Sequence, residues 1–75
     1  MVIDLVLTKT DDGYNSEIPS IKGCESWAHG EDEAINKTLE LVRFYLKIPA
    51  KNKIIVDKAR RELNVTIYKL VFEKV

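Results

Sequence analysis

Residues 14–34 read YNSEIPSIKGCESWAHGEDEA, and this stretch sets the architecture. Tyr14 to Ile18 fit a short strand, which Pro19 ends because proline has no amide to give to a ladder. Ser20 to Gly23 turn the chain, and Gly23 relaxes the backbone there. A further short strand is expected from Cys24 to about Ala28. Gly30 then serves as the N-cap of a helix whose first residues, Glu31, Asp32 and Glu33, suit the positive end of the helix dipole.

Working outward, residues 1–9 read as a strand with Ile3, Leu5 and Leu7 on one face and Val2, Asp4, Val6 and Thr8 on the other. Thr10-Asp11-Asp12-Gly13 reads as a hairpin turn, with Asp-Gly tolerating the positive φ that tight turns need. Downstream, Ala34, Ile35, Leu39, Leu41, Val42, Tyr45 and Leu46 form one broad apolar stripe at helical spacing. Lys37, Glu40, Arg43 and Lys47 lie opposite, and Pro49 stops the helix. Ile55, Ala59 and Leu63 are spaced for a second helix over residues 51–63, although Ile54-Ile55-Val56 also fits a short strand. Residues 65–74, VTIYKLVFEK, read as the last strand. The expected fold is α+β: a two-layer β-β-β-α-(α)-β sandwich forming a single domain over residues 1–75. Its mixed four-stranded sheet takes the order 3-2-1-4, because a right-handed crossover lays the last strand parallel to the first.

The same stretch resembles the small HicB-like antitoxin family. That family's pattern runs Tyr, then Pro-x-Leu-x-Gly-Cys-x-Ser, then an acidic helix start ending in Glu-Ala. Tyr14, Pro19, Ile21, Gly23, Cys24, Ser26, Glu33 and Ala34 occupy the matching positions. The likeness covers about a third of the chain, mainly Gly13 to Leu39. Gly30 stands where the family usually has Thr, Ala28 where it has Gly, and Trp27 where it has a polar residue. The resemblance implies the HicB-like, partial ribonuclease H-like arrangement, with Tyr14, Pro19, Gly23, Cys24 and Ala34 as structural positions. It also implies a partner: a HicA-like toxin of the double-stranded-RNA-binding fold, which degrades messenger RNA and is neutralised when its active site is covered. Full-length members carry a C-terminal DNA-binding domain. The 75 residues leave no room for one, so direct DNA binding is not expected.

Composition narrows the classes. The chain has 12 Lys and Arg against 12 Asp and Glu, so nothing in the net charge points to nucleic acid. One cysteine, Cys24, excludes a disulfide framework, and one Cys with one His falls short of a structural zinc site. MVIDLVLTKT is too short, and broken too soon by Asp4, for a signal peptide or a membrane span. A cytoplasmic protein without cofactor is the expectation. A 75-residue chain is also marginal alone, so stability must come from tight packing or from association.

Alternation points to association. The helix is expected to cover Ile3, Leu5 and Leu7 of the first strand; the turn geometry that the resemblance implies adds Tyr14, Ile18, Cys24, Ser26 and Ala28, leaving Val2, Val6 and Trp27 on the opposite face. The last strand is apolar on both sides, with Val65, Ile67 and Val71 away from Tyr68, Leu70 and Phe72. A two-layer domain buries only one such side by itself, and an exposed apolar patch usually marks an interface. Burying a few hundred square ångströms stabilises by roughly 5–10 kcal/mol before the costs of association. Val2, Val6, Trp27, Ile67 and Val71 are therefore the interface candidates, for a homodimer or higher assembly or for another chain, and Trp27 is the foremost of them.

Catalysis has little to stand on. Every nucleophilic arrangement must use His29, the single histidine, which reads as a surface residue ahead of the helix. Cys24 reads as a small buried hydrophobe. The ribonuclease H order places a carboxylate midway along the first strand, where Asp4 stands. A metal-dependent nuclease would need Glu33, Glu40 or Asp57 to converge on it, and no spacing forces that. Lys51, Lys53, Lys58, Arg60 and Arg61 form a basic cluster that reads as a solvated helix face. The expectation is a non-enzymatic protein-interaction domain with no catalytic or metal residues. The alternative is a stand-alone oligomeric domain.

Overall fold

A computed structural model describes residues 1–73; the tenth residue assigned to the last strand, Lys74, lies outside them. The chain runs β1 (Val2–Lys9), β2 (Tyr14–Glu17), β3 (Glu25–Ala28), α1 (Glu31–Leu46), β4 (Ile55–Glu62) and β5 (Val65–Val71). One sheet of five strands forms in the order β3-β2-β1-β5-β4, every pair antiparallel.

This corrects the expected mixed four-stranded sheet. Residues 55–62 are a strand, not part of a helix, and they pair with β5 through a turn at Leu63 and Asn64 in which Leu63 has φ 40°. The added strand reverses the chain once more, so β5 arrives antiparallel to β1, with Leu5 opposite Tyr68. The right-handed crossover that would have made them parallel has no role. The helical spacing of Ile55, Ala59 and Leu63 was coincidental: all three are exposed, Leu63 at 96%. Such a stripe has no core to face, whereas the β-branched run Ile54-Ile55-Val56 favours extension.

Helix α1 lies over one face of the sheet and is built as its sequence suggests. Gly30 caps it in an extended conformation, three acids fill its first turn, and Lys47 closes it in a left-handed conformation with φ 56°. Ala34, Ile35, Thr38 and Val42 point into the core, where they meet Leu5, Leu7, Ile18, Cys24, Ala28, Tyr68, Leu70 and Phe72. Thr38 was not foreseen there; its hydroxyl donates to the Ser16 carbonyl at 3.2 Å. Tyr45, expected on the covered stripe, is 44% exposed. After the helix, Arg43 holds the connection to β4 by donating from Nη1 to the carbonyls of Pro49 and Asn52, at 2.9 and 2.8 Å.

The turn between β1 and β2 departs from expectation in its cause. Gly13 does not take a positive φ; among the glycines that conformation belongs to Gly23, at φ 84°. What requires a glycine at 13 is space, because the Trp27 indole and the Ala28 carbonyl occupy the volume a side chain would take.

Candidate protein interface

The face opposite α1 is ordered into rows by strand register. Residues facing one another across a ladder share a side of the sheet, so the pairings fix which side chains are neighbours. Val2, Val71 and Ile55 form the first row, across β1, β5 and β4. Asp4, Lys69 and Asp57 form the second. The third crosses the whole sheet as Glu25, Glu17, Val6, Ile67 and Arg60. The fourth reads Trp27, Asn15, Thr8, Val65 and Glu62.

No described element packs on this face. Val2 is 58% exposed and Ile55 48%, while Val6, Val65, Ile67 and Val71 are half-buried by their neighbours in the sheet. Of the candidates read from the sequence, Val2 and Val71 are a direct cross-strand pair, as are Val6 and Ile67. The ion pair between Lys69 and Asp4 separates the two aliphatic rows. Trp27 shares the face but stands on β3, with Asn15 between it and Thr8 of β1. Its Nε1 donates to Thr10 Oγ1 at 3.1 Å, and its ring meets His29 edge-on at 4.8 Å. Trp27 is thus a partly exposed cover over the β1–β2 turn, displaced from the aliphatic centre. Ile55 belongs to that centre and was missed, because a helical reading of its segment assigned it no sheet face.

Charge is distributed unevenly across the face. Glu17 and Glu25 are adjacent at the β2–β3 end, whereas Arg60 ends the same row on β4. The basic cluster expected on one helix face is divided. Lys51 and Lys53 precede β4, Lys58 and Arg61 lie on the helix side, and Arg60 lies on the helix-free side.

The positions considered for chemistry are dispersed. Asp4 has Lys69 as its ionic partner, and Glu33 and Glu40 are exposed on α1. Among the described residues no three His, Cys, Asp or Glu side chains gather in a way that could hold a metal ion. Cys24 is buried beneath the helix, and burial pushes its thiol above the ordinary range, away from the thiolate a nucleophile needs. The remaining motif positions are architectural. Ala34 is fully buried, Tyr14 lies under Lys9 Nζ at 5.6 Å, and Pro19 and Gly23 form the exposed turn ahead of β3. No described helix is long and apolar enough to cross a membrane.

Comparison with known proteins gives one likeness of note. The chain is similar to a UPF0150 protein of Helicobacter pylori strain J99, 35% identical over 46 residues. That similarity takes in 61% of this chain and 64% of the relative, so the chain spans a little under two thirds of the protein it matches. No family model and no solved structure matches the chain.

Proposed function

We propose that this chain is a non-enzymatic protein-interaction domain of the HicB-like type, an antitoxin whose helix-free face covers the active site and RNA surface of a small mRNA-degrading toxin. The observation that carries this reading is the pair of aliphatic rows, Val2–Val71–Ile55 and Val6–Ile67, on a sheet face that none of the described elements covers. Each aliphatic side chain that a partner buries fully contributes roughly 1.5–3 kcal/mol, so a handful suffices to offset much of the cost of association. The acidic neighbours Glu17 and Glu25 complement the basic surface that an RNA-cleaving protein presents to its substrate. The mechanism is steric: the domain supplies shape, apolar area and charge, and no bond is made or broken on it. The resemblance over residues 13–39 supports the choice of toxin class.

The test is an RNA-cleavage assay with a purified HicA-like toxin from the same organism. An equimolar amount of this domain is expected to abolish cleavage, and Val71→Lys, which sets a charge between Val2 and Ile55, is expected to relieve the inhibition. Cleavage unaffected by the wild-type domain would overturn the antitoxin reading.

A further inference from the structure

Strand β4 is an open edge. Seven of its eight residues, all but Ala59 at the bulge, pair with β5, on one side only, and every residue except Val56 is exposed. The opposite edge of the sheet, β3, has four residues, and Lys37 of α1 reaches over it to the Trp27 carbonyl at 3.5 Å. Long open edges template the pairing of further strands, and proteins normally blunt them with charged side chains, proline or bulges. β4 has no proline but does have a bulge, between Lys58 and Arg60, and five charged side chains; because these are of both signs, they repel or attract a second strand according to its register.

We infer that β4 is a self-complementary seam through which two copies of this chain pair antiparallel, joining their sheets edge to edge about a two-fold axis. Register decides this. Through β5, the ladder places Ile55, Asp57, Arg60 and Glu62 on the helix-free side and Val56, Lys58 and Arg61 on the helix side. A two-fold seam must set like side against like side. When Asp57 stands opposite Arg60 of the second copy, Ile55 faces Glu62 and Val56 faces Arg61, so the sides match along the strand. The shortest side chain of the strand, Ala59, then falls at the axis opposite Lys58.

The charges close in this register alone. Asp57 makes no salt bridge within the described chain, and here it meets Arg60 of the second copy twice over, once on each side of the axis. Arg60 has only its neighbour Glu62 for an ionic partner, 3.4 Å away at the surface. Sliding the seam by one residue in either direction sets helix-side residues against helix-free ones. Sliding it by two sets Asp57 against Glu62 and Lys58 against Arg61, all like charges, or else again mismatches the sides at the bulge. Like charges directly opposite destabilise a ladder and unlike charges stabilise it, so the sequence of β4 selects one alignment. Both helices then lie on the same side of a continuous sheet, and the helix-free faces of the two copies form one extended surface.

This inference does not depend on the toxin, and the experiment separates them. Sedimentation equilibrium of the purified chain is expected to show a two-chain species. Asp57→Arg and Arg60→Asp, taken singly, each set like charges opposite at two places and are expected to raise the dissociation constant roughly tenfold or more. Mixing the two variants in equal amounts restores opposite charges across the seam, and a dimer of one chain of each is expected to return at close to wild-type strength. Recovery on mixing cannot come from misfolded chains. Val71→Lys, on the helix-free face, is expected to leave this dimer intact. A one-chain mass at every concentration, a dimer indifferent to both β4 changes, no recovery on mixing, or a dimer dissolved by Val71→Lys would each overturn the seam.

Discussion

Trp27 packs over Gly13 so closely that a Cβ on the glycine would clash with the indole Cζ2 and with the Ala28 carbonyl oxygen. The contact ties the β1–β2 turn to β3, and the hydrogen bond from Trp27 to Thr10 fastens it further. Gly13→Ala is therefore expected to destabilise the fold by about 1–3 kcal/mol through overpacking. The cost should shrink in a Trp27→Ala background, where half of the clash is gone, and urea unfolding of the four chains of that cycle measures it. An equal cost in both backgrounds would place the constraint in the backbone or the Ala28 carbonyl.

A second expectation concerns two polar groups beneath the helix. Thr38 donates to the Ser16 carbonyl, but the Ser16 hydroxyl itself is buried with no partner among the described residues. An unpaired buried hydroxyl costs about 1–3 kcal/mol of desolvation. Ser16→Ala should accordingly be neutral or stabilising in thermal unfolding, whereas Thr38→Val should lose about 1 kcal/mol with the hydrogen bond. Loss of stability in Ser16→Ala as large as in Thr38→Val would contradict this account of the core.

Tyr68 gives a pH dependence with a defined sign. It is buried, its hydroxyl donates to Glu31 Oε1 at 3.1 Å, and its pKa is raised, first by burial and then by the hydrogen bond and charge of Glu31. The folded chain thus holds the phenolic proton more tightly than the unfolded chain. The stabilisation is complete below the ordinary tyrosine value, about 10, and is lost as pH rises beyond it toward the folded value. Tyr68→Phe should unfold more readily by about 1 kcal/mol at neutral pH, with a smaller further loss than wild type above pH of about 10. Parallel curves for the two chains at alkaline pH would contradict the assignment.

The first half of the fold was legible because its elements each have one buried side. The alternation of Ile3, Leu5 and Leu7 and the stripe through Ala34, Ile35 and Val42 are periodic records of a core, and the core is where they lie. β4 leaves no such record, since Asp57, Lys58, Arg60 and Arg61 face solvent whichever side of the sheet they occupy. A strand with no buried face has no hydrophobic period. Ile55, Ala59 and Leu63 then supplied a false helical one, and the direction of β5 was lost with it. The helix-free face was legible wherever alternation reached it, at Val2, Val6, Ile67 and Val71. Ile55 was hidden by the misread segment. The packing of Trp27 on Gly13 was hidden because it joins residues whose contact only the folded sheet creates.

The claim on which the functional reading rests is that the helix-free face receives another polypeptide. Isothermal titration of a purified HicA-like toxin, the partner class proposed above, into this domain, beside the same titration into Val71→Lys, tests it most directly. The account predicts saturable binding by the wild type and at least about a tenfold weaker affinity for the variant, the equivalent of losing one well-packed aliphatic contact. Equal affinity for both, with Val71→Lys as well folded as the wild type by circular dichroism, would contradict it.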